Sequence, residues 1–156
     1  MTGTPQLEVI DLDGLKWDIG APMPVLLAGR QDAVVLCYEG STSGAEELSV
    51  MEIRFEMYTS VRMGHPNDEV IEGHPLWACG MEPYEAHKVH NSPLLAEHRR
   101  INSVHPQHKD ERWADKSHYF LAFHDEVVEA LADRISARRL EGTMAAELAR
   151  AAAGLD

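Results

Sequence analysis

The sequence predicts a mainly β fold, an antiparallel barrel or sandwich, with a short helix near residues 93–102 and a helical tail at the C-terminus. Three observations carry this expectation. Short apolar runs separated by Gly, Pro, Asn and Asp recur up to Asn91. Ser49–Arg62 alternates apolar and polar residues with a period of two. From Arg138 onward the composition turns Ala-rich.

The elements follow in order. Leu7–Leu12 and Leu15–Ile19 flank Asp13-Gly14, a pair that favours a tight primed hairpin turn. Val25–Ala28 and Ala33–Tyr38 flank Gly29-Arg30-Gln31-Asp32 and read as a second hairpin, with Cys37 a buried thiol. Glu39–Glu47 is rich in Gly, Ser and Thr and reads as a mobile loop.

Ser49–Arg62 then reads as one long strand. Met51, Ile53, Phe55, Met57, Thr59 and Val61 take the core face, and Glu52, Arg54, Glu56, Tyr58, Ser60 and Arg62 the wet one. Pro83–Asn91 is expected to be extended. Ser92-Pro93 matches an N-cap followed by proline at the first helical position, so a helix starts there, with Leu94, Leu95, His98 and Ile101 as its inner stripe. Asp110 is placed to cap a short turn through Trp113. Ser117–His124 reads as a strand, with Val127–Ala132 as its hairpin partner or the start of a helix. Arg138–Leu155 carries Leu140, Met144, Leu148 and Leu155 at amphipathic spacing, a packing or homodimer-contact helix. The expected organisation is a mainly β domain over 1–135 and a helical tail over 136–156.

Charge narrows the function. The 156 residues include 14 Lys+Arg against 26 Asp+Glu, a formal net charge of −12. That balance argues against nucleic acid, whose binding rests on clustered positive charge, and against an anionic membrane surface. Met1-Thr2-Gly3-Thr4-Pro5 has neither a basic n-region nor an apolar h-region, so a cytoplasmic location is expected.

The chemistry concentrates in one segment. All nine histidines fall between His65 and His124 and are interleaved with carboxylates. Histidine ligates metals and moves protons near neutral pH. No His-x-His pair and no His-Glu-x-x-His motif occurs. His118 and His124 share a strand face, but six residues at ~3.3 Å rise set them ~20 Å apart, too far for one ion. A metal site would need ligands from separate segments, so no cofactor and no metal ligand is assigned, and a transition-metal enzyme with scattered His/Glu ligands stays a third reading. A metal-free site needs a histidine within reach of an orienting carboxylate. Glu129 across the hairpin from His118 or His124 fits, as does Glu72 beside His74 if that stretch is extended. His124 and Asp125 point to opposite faces if the strand continues.

Gly64-His65-Pro66-Asn67-Asp68-Glu69, Gly73-His74-Pro75-Leu76, Tyr84, Asn91-Ser92, Asn102, His105-Pro106, His108 and His118-Tyr119-Phe120 with Phe123-His124-Asp125 form a pattern over residues 64–132. In it the chain resembles a group of small bacterial proteins without an assigned activity. The resemblance implies that the segment forms one site, and it supplies no reaction. Members of the group carry an aromatic residue after Asn-Ser and a cysteine after the late glutamate; here Pro93-Leu94 and Ala130 stand instead.

The leading expectation is a small cytoplasmic enzyme that acts on a small organic metabolite by histidine/carboxylate acid–base chemistry, as an isomerase, cyclase, lyase or hydrolase. His65, His74, His118 and His124 are the expected proton-transfer groups, with Glu72, Asp125 and Glu129 as orienting carboxylates. Tyr84, Asn102 and His105 are the expected substrate-binding residues. The alternative is a non-catalytic protein that holds a small ligand or a partner.

Overall fold

The computed structural model describes residues 3–40 and 48–155. Two antiparallel sheets face each other as a sandwich, and neither closes into the barrel that was the other expectation. The first sheet has the order β1-β6-β7-β8-β5, from Gln6–Val9, Ala86–His90, Ser117–Ala122, Val127–Ala132 and Ser60–Gly64. The second has the order β2-β3-β4-β9, from Val25–Ala28, Ala33–Tyr38, Val50–Glu56 and Arg134–Leu140. The helices are α1 (Pro93–Asn102), α2 (Asp110–Ala114) and α3 (Met144–Gly154). None is long and apolar enough to cross a membrane.

Side-chain alternation builds the core between the sheets. Val35 and Cys37 of β3 and Met51, Ile53 and Phe55 of β4 meet Tyr119 and Leu121 of β7 and Val128 and Ala130 of β8. Burial pushes the Cys37 thiol far above its ordinary range, so it stays an inert apolar filler. The outer face of the second sheet is covered by α3, whose Met144 and Leu148 pack over Val34, Leu36 and Val50. On the outer face of the first sheet, Phe120, Ala122 and Val127 lie under a cover of turns that supplies Ile71, Leu76 and Met81.

Several elements differ from expectation. Asp13 (φ 54°) and Gly14 (φ 76°) do make the tight turn, closed by the Leu15 amide on the Leu12 carbonyl at 2.9 Å. The flanking residues do not form a ladder with each other, because β1 is drawn into pairing with β6. The expected long strand breaks at Met57, which takes φ 51°. Its amide is held by Asp32 Oδ1 at 3.0 Å, and the next hydroxyl, Tyr58 Oη, donates to the Gly29 carbonyl. The chain thereby leaves the second sheet after Glu56 and enters the first at Ser60. Met57, read as core, is 50% exposed in that corner.

Ile101, read as part of the inner stripe of α1, is exposed as well. The C-terminal helix starts at Met144, and Arg138–Leu140 belong to β9, where they pair antiparallel with Val50–Glu52 of β4. Of the loop expected over Glu39–Glu47, residues 41–47 lie outside the described residues.

Candidate functional site

The β7–β8 hairpin sets the site. Phe120 pairs with Glu129 and His118 with Leu131, so His118 and Glu129 are diagonal neighbours on the outer face of the first sheet. Arg62 of β5 stands directly opposite Glu129 on the other side of β8. His118 Nε2–H donates to Glu129 Oε1 at 2.9 Å. Arg62 donates to Glu129 Oε2 from Nε at 2.8 Å and also from Nη2.

Behind His118, Ser92 caps α1 and its Oγ accepts from the Leu95 amide at 3.0 Å. The Ser92 hydroxyl proton therefore needs an acceptor, which His118 Nδ1 provides at 2.7 Å. The result is a continuous buried relay from α1 through Ser92, His118 and Glu129 to Arg62. His118 and Glu129 side chains are 1% and 3% exposed, whereas Arg62 is 63% exposed. Burial alone would raise the Glu129 carboxyl; the hydrogen bonds from His118 and Arg62, together with the Arg62 charge, outweigh it and hold it below the ordinary value. Glu129 is thus an ionised anchor with both oxygens occupied.

Glu129 and Arg62 form the wall of a pocket of about 220 Å3 that is also lined by Gly64, His65, His74 and Val127. His74 lies after a 3-10 turn at Ile71–Gly73 and meets Phe120 edge-on, with ring centroids 5.0 Å apart. Its Nδ1 accepts the Leu76 amide at 3.0 Å, so the ring proton sits on Nε2. Burial, reinforced by the positive charge of Arg62, lowers the pKa of His74 against the opposing pull of Glu129. A proton at Nδ1 would also confront the Leu76 N–H. His74 is therefore a neutral imidazole whose Nε2–H is its free group. Among the described residues Nε2 has no hydrogen-bond partner, yet the buried partnerless side-chain atoms are Trp17 Nε1, Asn67 Oδ1 and Glu126 Oε1, so His74 Nε2 is an accessible donor on a residue that lines the pocket.

The remaining expected residues fall elsewhere. Glu72 is exposed on the 3-10 turn and does not orient His74, because that stretch is not extended; Glu129 is the carboxylate nearest in effect. His124 and Asp125 pair directly, Nδ1 to Oδ1 at 2.9 Å, because β7 ends at Ala122 and the chain turns. His124 Nε2 also lies 3.6 Å from Asp68 Oδ2, which accepts the Tyr84 hydroxyl at 2.6 Å. This second cluster clasps the 65–69 loop to the hairpin turn, an attachment completed by the Asp68 amide on the His124 carbonyl at 2.9 Å. Tyr84 belongs to this clasp.

Asn102 Nδ2 lies 2.8 Å from His108 Nδ1, and His108 Nε2 is 2.7 Å from Asp110 Oδ1, a surface knot joining α1 to α2. Lys109, not Asp110, is the N-cap of α2. His105 is exposed, its Nδ1 accepting the Gln107 amide. His87 is fully buried between the Phe120 carbonyl and the Glu82 amide, and desolvation lowers its pKa, a structural role. The segment thus divides into three groups rather than one.

Arg62 and Ser92 were missed as site residues. The alternating signs of Ser49–Arg62 resembled a solvated face, and the capping signature of Ser92 gave no hint of a second partner. Among the described residues, no group of three or more His, Cys, Asp or Glu side chains is arranged to hold a metal ion. Compared with protein-family models, curated proteins and solved structures, the chain matches none.

Proposed function

We propose that the chain is a small cytoplasmic enzyme that carries out acid–base chemistry on a small organic metabolite in the pocket of Arg62, His65, His74 and Glu129. The observation that carries this reading is the neutral His74 ring, locked by the Leu76 amide with Nε2–H left free beside an anchored guanidinium. A neutral imidazole held as a donor stabilises oxyanion charge developing on a substrate carbonyl or hydroxyl. His65 is exposed on the same pocket, where its imidazole is placed to take a proton from substrate. Glu129, His118 and Ser92 act through Arg62 by fixing where its guanidinium stands.

Incubation in D2O with a mixture of small hydroxy, carbonyl and unsaturated compounds, charged and neutral, tests this by proton NMR. Wild-type protein is expected to exchange a C–H proton or convert one component. His65→Ala and His74→Ala should each slow that reaction about 100-fold or more, in line with the usual worth of a general acid or base. No change in any component, or a rate that survives both substitutions, refutes the reading.

A further inference from the structure

We infer that this pocket takes a small singly charged carboxylate, with Arg62 and His74 as its receiving donors. The inference rests on the same site as the proposed function and names its ligand. Apart from His65, the polar side chains that can reach a ligand here are donors. Among the described residues, Glu129 is the one carboxylate lining the pocket, and each of its oxygens is already hydrogen-bonded, Oε1 by His118 and Oε2 twice by Arg62. Nδ1 of His74 is taken by the Leu76 amide. That leaves Arg62 Nη1, the guanidinium nitrogen not bonded to Glu129, and His74 Nε2–H as the free donors of two side chains that line the pocket. A ligand group that only accepts hydrogen bonds matches Arg62 and His74, which offer no acceptor to the donor that an amide or alcohol brings; His65 is the lining side chain that can accept.

Charge then sets the valence. Arg62 is offset by Glu129 and His74 is neutral, so the pocket offers hydrogen bonds and one exposed cation rather than a strongly positive field. A dianionic phosphate, commonly met by several cations, is poorly matched in a chain of net charge −12. A carboxylate meets Arg62 first, because the Arg62 side chain is 63% exposed while that of Glu129 is 3% exposed. The volume of about 220 Å3 lies below the ~300 Å3 at which sites for drug-sized molecules begin, so the ligand is a few carbons long.

The test is titration of the 15N-labelled protein with sodium propionate, its neutral isostere propionamide, and inorganic phosphate. Propionate should shift the amides of Met63, Gly64 and Leu76 saturably, with propionamide and phosphate at least about tenfold weaker. Arg62→Gln and His74→Leu should each weaken propionate about tenfold, while Arg134→Gln on β9 leaves it unchanged. If Arg62→Gln does not fold, Arg62→Lys replaces it: it keeps a charge beside Glu129 and should still lose several-fold in affinity. Absence of saturable propionate shifts, equal binding of propionamide, tighter binding of phosphate, or full affinity in the Arg62 and His74 variants would overturn the inference. Saturable propionate binding with no turnover of any compound leaves it standing and removes the catalytic reading. Turnover of a neutral compound without propionate binding does the reverse.

Discussion

Replacing His118 by leucine removes one of the two partners of a carboxylate that is 3% exposed. Stranding a buried charge typically costs about 3–5 kcal/mol. The Ser92 hydroxyl loses its acceptor, about another 1 kcal/mol, and the leucine returns about 2 kcal/mol of apolar burial against Phe120 and Leu131. Arg62 remains on Oε2, so the net cost of His118→Leu should be about 3 kcal/mol, or about 6–12 °C in melting temperature for a chain of this length. Glu129→Leu alone leaves Arg62 free to face water and orphans His118 Nε2–H, about 1–3 kcal/mol.

The double variant removes charge and donor together and leaves only the Ser92 hydroxyl unpaired. It should cost about 1 kcal/mol, less than His118→Leu by itself. Urea unfolding of the four proteins, followed by far-UV circular dichroism, reads this directly. Single costs that add in the double variant to within about 0.5 kcal/mol would refute the relay. The pH dependence has a definite sign. The folded pKa of Glu129 lies below its unfolded value of 4.5, so its contribution is present above that value and fades as pH falls through the folded one. The double variant should lack this part of the acid sensitivity.

Other outcomes follow from the same contacts. Ser92→Ala, which removes both a helix cap and the His118 partner, should cost clearly more than Thr143→Ala, which loses only the α3 cap at about 1 kcal/mol; thermal melts decide. His124 is held above its ordinary pKa, first by the hydrogen bond with Asp125 and then by the charges of Asp68, Asp125 and Glu69. Its contribution is present below 6.5 and is lost as pH rises through the raised value, so His124→Ala should lower the melting temperature at about pH 5.5 and leave it unchanged at about pH 9. Met57→Gly should hold or raise stability by up to about 1 kcal/mol in urea titration, because the side chain is exposed and φ is positive.

Local signals were legible where one short stretch contains all the information. The β2–β3 and β7–β8 hairpins and the Ser92-Pro93 start of α1 are of this kind, and the His118–Glu129 pairing followed from the second hairpin. Met57 was not legible, because Met57-Tyr58-Thr59 continue the alternation without a glycine or proline. The turn is imposed by Asp32 and Gly29 from the β2–β3 connection, well over twenty residues earlier in the chain. Residues 134–140 do alternate Ile135 and Ala137 inward against arginines, but the Ala-rich run after them drew the helix too far back. Glu72 was assigned on an extended backbone that the 3-10 turn does not supply. His124 and Asp125 were kept apart by a strand that ends two residues sooner than expected.

The corner at Met57–Thr59 ties Arg62 to the opposite layer of the sandwich. β4 is an interior strand of one sheet, and only Met57, Tyr58 and Thr59 separate it from β5, which carries the guanidinium along the edge of the other. The two layers therefore cannot slide past each other without dragging Arg62 along Glu129 and changing the mouth of the pocket. Occupancy of the pocket should in turn brace the layers against sliding. Amide hydrogen exchange in β3 and β4, which do not line the pocket, then becomes a remote gauge of whether it is filled.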